Sequence, residues 1–136
     1  MWAGARCVFA AVLLAAGALA AGPSDRPPNV LVILVDDLGY RDLGCQGCID
    51  FKTPHIDKLA SGGVRLTSGY VSHPYCSPSR AGILTGRYQQ RFGHEHNLRY
   101  DESDVVNGTD VKEVMLPKLL GKAGYATTHI GKWHVG

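Results

Sequence analysis

From Asn29 onward the chain alternates short apolar runs with polar breaks. "NVLVILVDDLGY" is continuously apolar from Val30 to Val35 and ends abruptly in Asp36 and Asp37, the pattern of a strand buried on both faces in a parallel sheet. "TPHIDKLASGG" then places Thr53 as N-cap, Pro54 at the first helical position and Gly62 past the end, which brackets a short helix with Ile56, Leu59 and Ala60 inward. "VRLTSGYV" reads as a second strand. In "CSPSRAGILTG", Ser77 can cap and Pro78 can open a helix that runs through Ile83 and Leu84 to a stop near Gly86, with Cys76 at its N-terminus. "QQRFGHEHNLRYDESDVVNGTD" has no period and is read as a polar surface loop. "MLPKLLGKAGY" gives a helix opened by Pro117 and closed by Gly124, and "ATTHIGKWHVG" a strand leading to a polar tip. The order strand, helix, strand, helix, helix, strand predicts an α/β fold with a mainly parallel sheet flanked by helices.

Composition narrows the class. The chain has 136 residues, a net charge of +2 and a hydrophobic share of 45%, which suits an ordinary globular domain. Its basic residues are dispersed, without the runs or aromatic interleaving of nucleic-acid binders, so no nucleic-acid partner is expected. Residues 1–21 carry Arg6, an apolar core and a small-residue exit at Ala18 to Ala21, the plan of a cleaved export signal. The apolar core is short for a membrane anchor, which takes roughly 20 residues, so no stable membrane insertion is expected after cleavage. Residues 22–28 read as a linker. Asn107-Gly108-Thr109 is a glycosylation sequon.

Three cysteines follow the signal. Cys45 and Cys48 form a C-x-x-C in a loop, where a bridge would be strained and half a zinc site finds no second pair, so two unbridged or loosely bridged thiols are expected. Cys76 is the thiol without a partner. A helix N-terminus there can hold an anion, and Arg80 on the first turn can fold back toward it; the alternative is a buried structural cysteine. The rigid, cationic setting of Pro74, Pro78 and Arg80 argues against that alternative. Asp36 and Asp37 fall at the carboxyl end of the first strand, the edge where open α/β sheets bind ligands. Two readings stand for them: a solvated turn, or a site where a hard divalent cation, calcium or magnesium, offsets their repulsion. Lys132 and His134 alternate around Trp133 and would share one face of an extended segment; without further context they read as solvated side chains, as do His94 and His96.

Together, "DDLGY", "CSPSRAGILTGR" and "GYATTHIGKWHVG" resemble the amino-terminal part of the sulfatase family in the alkaline-phosphatase-like superfamily. The resemblance runs from Asn29 to Gly136, with Tyr75 a less usual neighbour of the cysteine. It implies that a formylglycine-generating enzyme oxidises Cys76 to formylglycine (3-oxoalanine), whose hydrated aldehyde attacks the sulfur of a sulfate ester and then releases sulfate. It also implies that Asp36, Asp37 and residue 76 ligate Ca2+, with Mg2+ as the second choice. By the same resemblance Arg80 would steady the formylglycine, Lys132 would contact sulfate oxygens, and His134 would orient or deprotonate the hydrated aldehyde.

Family catalytic domains are several times longer, so residues 29–136 are expected to form only the N-terminal part of one, with an incomplete metal site and little activity or stability alone. The expected function is hydrolysis of an aryl sulfate or a sulfated carbohydrate by an exported protein, periplasmic or secreted, or lysosomal in a eukaryote. A phosphonate or phosphate monoesterase of the same superfamily, and a catalytically silent relative, are the rival readings.

Overall fold

A computed structural model describes residues 26–136. The expected signal at 1–21 and most of the linker at 22–28 lie outside the described residues. The chain divides into two compact units, Met1–Ile33 and Leu34–Gly136, and every candidate site residue belongs to the second.

Three α-helices form where caps and prolines place them. Helix α1 spans Pro54–Gly62, α2 spans Cys76–Thr85 and α3 spans Leu116–Lys122. Two single turns of 3-10 helix lie at Gly44–Gln46 and Gln89–Phe92. Pro54 opens α1 as expected, but the Thr53 hydroxyl does not cap it. Instead Thr53 Oγ1 donates to Asp57 Oδ1 at 2.9 Å and accepts from the Gly44 N–H at 2.9 Å, while Asp57 also receives the Cys45 N–H at 2.7 Å. The turn carrying Cys45 is thereby tied to the first turn of α1, and both Cys45 and Cys48 are free thiols, as their spacing suggested. Helix α2 starts two residues earlier than Ser77 capping would have it: Tyr75 is the N-cap, and Gly86 closes the helix in the left-handed region at φ 64°, where glycine costs least.

The expected sheet is absent among the described residues, which contain no strand. The run from Val30 to Val35 is 44–83% exposed, and the segments at 64–71 and 126–136 likewise form no strand. An apolar run has strand character only when neighbours complete its hydrogen-bond ladder and cover its faces. Neither condition is met within these residues.

The buried residues cluster around α2. Among the described residues Pro78, Ala81 and Val135 are buried apolar side chains, accompanied by Ser77, Arg80, Gln89 and His94. Gln89 is wholly buried; its Oε1 accepts from Ser72 Oγ at 2.7 Å and its amide nitrogen, Nε2, donates to the Ser72 carbonyl at 3.1 Å. Gly82 lets this pair approach, since a Cβ there would lie 2.6 Å from Ser72 Oγ. The polar loop expectation for 89–110 therefore needs correction: Gln89 and His94 turn inward, where Gln89 bonds Ser72 and His94 bonds the buried Ser77 hydroxyl of α2. Val135 is held by its carbonyl, which accepts from the Thr109 N–H at 2.8 Å.

Candidate active site

Helix α2 presents Cys76 at its first position and Arg80 one turn later, so both project from the same end. Arg80 is 8% exposed, and a buried guanidinium requires partners. Its Nη2 donates to Asp36 Oδ1 at 3.1 Å, and its Nη1 donates to the Lys132 carbonyl. Lys132 Nζ reaches the other oxygen of the same carboxylate, Asp36 Oδ2, at 2.7 Å. Three remote stretches thus meet on one carboxylate.

Asp37 completes the group. Its Oδ1 lies 3.8 Å from Cys76 Sγ, and one ligand atom from each of Asp36, Asp37 and Cys76 fall within 4.8 Å of one another. A cleft of about 200 Å³ opens beside them, with Asp36, Asp37, Cys76 and Arg80 on its polar side and Val35, Val71 and Ile83 on its apolar side. Asp37 and His134 are the non-glycine residues with positive φ among those described, at 52° and 59°. Such a backbone costs about 1–3 kcal/mol and is retained where surroundings over-determine it, commonly at functional sites.

The charges reinforce one another. The hydrogen bond from Lys132, and after it that from Arg80, hold the Asp36 carboxyl below the ordinary carboxylate range. Reciprocally, Asp36 first and then Cys76 hold the Lys132 ammonium above the ordinary lysine range. Two carboxylates are balanced here by two cations, so a divalent ion added to the group would leave net positive charge facing the cleft.

The structure brings Asp36, Asp37, Cys76, Arg80 and Lys132 together. His134 does not line that cleft. Its Nε2 donates to the Leu98 carbonyl at 3.0 Å, and its Nδ1 is buried without a hydrogen-bond partner. His96 is exposed, as read from sequence. His94 is not: it is 4% exposed, with Nε2 2.6 Å from Ser77 Oγ and Nδ1 3.0 Å from Thr109 Oγ1. The repeated His-Glu-His alternation was the available signal, but only tertiary contact distinguishes the buried ring from the solvated one.

Burial, and after it the charge of His134, push the His94 pKa below its ordinary value of about 6.5. The folded protein therefore binds fewer protons than the unfolded chain below that value, so the neutral ring stabilises the fold above it. Stability is expected to fall as pH drops from about 6.5 through the lowered folded value. Urea unfolding at steps from neutral to mildly acidic pH checks this, and His94→Asn should flatten the slope. An equal slope in both proteins would assign the effect elsewhere.

The donor set suits a hard divalent ion in part. Two carboxylates suit calcium or magnesium, whereas the Cys76 sulfur is a soft ligand among hard ones. An oxygen in place of that sulfur would remove the mismatch, so the carboxylate pair fits such an ion and residue 76 fits it best in oxidised form.

A family model described as Sulfatase matches residues 28–136. The chain is 48% identical over 131 residues to steryl-sulfatase of Mus musculus, covering 94% of this chain and 21% of that protein. It is 44% identical over 131 residues to N-acetylgalactosamine-6-sulfatase of Mus musculus, covering 92% and 25%. A solved structure described as "Crystal structure of Ps i-CgsB" superposes with a TM-score of 0.76 at 42% identity, over 82% of this chain and 24% of that one. The chain therefore spans about a quarter or less of the length of these relatives.

Proposed function

The chain belongs to the sulfatase family, and from that premise we propose that the protein it forms part of hydrolyses a sulfate ester with residue 76 as its reacting group. The observation that carries the reading is the meeting of Asp36, Asp37, Cys76, Arg80 and Lys132 at one cleft. The two relatives named act, by their names, on a steryl sulfate and on a sulfated N-acetylgalactosamine; what they share is the ester group, and that is the substrate class proposed.

Asp36 and Asp37 would hold Ca2+, with Mg2+ the alternative; such an ion supplies Lewis-acid polarisation. Cys76, oxidised by a formylglycine-generating enzyme, would supply a hydrated aldehyde as nucleophile. The protein's own groups do the rest. Lys132, kept protonated by Asp36, offers an ammonium to a sulfate oxygen. Arg80 fixes the Asp36 carboxylate on one side and the Lys132 backbone on the other, so the anion pocket is set before substrate arrives. His134 donates through Nε2 to the Leu98 carbonyl, which would hold its ring in one orientation.

The full catalytic domain would carry the α/β architecture with a mainly parallel sheet, in which the run 30–35 becomes an interior strand. Among the described residues no helix is long and apolar enough to cross a membrane; export through residues 1–21 is part of the proposal.

Peptide mass spectrometry of the full-length gene product, made in its own host, tests the reading on the tryptic fragment from Leu66 to Arg80. Conversion of CH2SH to CHO lightens that fragment by about 18 Da, and turnover of a sulfate ester should exceed that of a phosphonate ester. An unmodified thiol with no hydrolysis would move the protein to the silent relatives, and faster phosphonate turnover to the monoesterases.

A further inference from the structure

Helix α2 begins without help from its own N-cap: Tyr75 makes no side-chain bond to the first turn, although the first amides of a helix have no partner within it. The Ser77 N–H finds one twenty residues later, donating to Asn97 Oδ1 at 3.0 Å. The Ser77 hydroxyl, fully buried, meets His94 Nε2 at 2.6 Å, and His94 is held from its other side by Thr109. One residue past Asn97, the Leu98 carbonyl receives His134 Nε2. The short segment 94–98 therefore touches both the residue next to Cys76 and the ring of His134.

We infer that Asn97 is a positioning residue that caps α2 from outside and so fixes residue 76 relative to Asp37 and Lys132, while the Leu98 carbonyl fixes His134 in the same frame. The inference rests on the ester-hydrolase reading. An asparagine oxygen is among the most effective caps. Here it acts across space, and the helix it caps carries the reacting group at its first position. Losing it frees the first turn to shift, and a shift of about 1 Å at a reacting group costs on the order of a hundredfold in rate. The surviving His94 contact should limit the loss to about tenfold.

The test uses the full-length gene product made in its own host, as wild type, Asn97→Ala, Asn97→Leu and Asn97→Asp. Conversion of residue 76 is measured by mass, and kcat and KM for para-nitrophenyl sulfate are taken per converted site. Hydrogen exchange is followed in the peptide containing Ser77. Ala and Leu should lower kcat about tenfold with KM within about twofold, and should speed exchange at Ser77. Asp, which keeps the acceptor oxygen, should restore both. If Ala fails to fold, the comparison of Leu with Asp carries the same contrast. Equal kcat per converted site in the Leu and wild-type proteins overturns the positioning role while leaving the hydrolase reading intact. A wild type that hydrolyses no sulfate ester overturns the hydrolase reading and the positioning role with it.

Discussion

Cys76→Ala in the full-length gene product is expected to abolish sulfate-ester turnover, with a loss of roughly ten-thousandfold or more. The size follows from where the side chain sits. Cys76 is the first residue of α2, its sulfur is 3.8 Å from Asp37 Oδ1, and it shares a compact group with both carboxylates. The other hydroxyls among the residues lining the cleft belong to Tyr75, a weakly nucleophilic phenol, and to Ser79, whose Oγ is committed to the His73 carbonyl. Alanine thus removes the reacting group without leaving a substitute, and because residue 76 is only half-buried the fold should tolerate the change. Cys76→Ser sharpens the test. Serine restores an oxygen but only one hydroxyl, so a sulfate ester formed on it has no second hydroxyl on the same carbon to expel the sulfate. At most one equivalent of alcohol per protein should be released in a burst, followed by no turnover. Steady hydrolysis by either variant would remove residue 76 from the centre of the reaction.

What the sequence disclosed was local. Prolines and glycines near helix ends placed α1, α2 and α3 within a residue or two, because capping chemistry acts over a single turn. The candidate acids, the cysteine and Arg80 could be named because each lies in a short signature. The contacts among them could not be. Lys132 and Asp36 are 96 residues apart, and spacing alone favoured a solvated lysine. His94 and Asn97 were passed over for the same reason: a polar aperiodic stretch looks the same whether it faces water or a helix end with unpaired amides. The sheet is a different case. The pattern from Val30 to Val35 states correctly that the run is apolar, but pairing depends on neighbours that periodicity does not specify. Nor does sequence announce that Asp37 and His134 adopt positive φ, since only the surrounding contacts over-determine such backbones.

Arg80→Lys, which keeps the charge, is expected to cost roughly a hundredfold or more in kcat per converted site. Normalising per converted site is essential, because Arg80 lies four residues from Cys76, and lost conversion would otherwise pass for lost catalysis. The physical case rests on the fork. One arm of the guanidinium holds Asp36 Oδ1 and the other holds the backbone carbonyl of Lys132, joining segments that lie 44 and 52 residues from it in sequence. A single ammonium cannot reproduce two donors in that planar arrangement, so lysine would leave either the carboxylate or the carbonyl unserved. Lys132 Nζ would still hold Asp36 Oδ2, and the carboxylate would remain ionised. What is lost is the constraint that keeps the Lys132 backbone, and with it the ammonium and the neighbouring His134, in register with Asp36. The deficit should therefore appear chiefly in kcat. Free guanidinium added to Arg80→Ala should recover part of the activity, whereas added ammonium should not. A lysine variant within about twofold of wild type per converted site would show that charge alone suffices and that the fork does not organise the site.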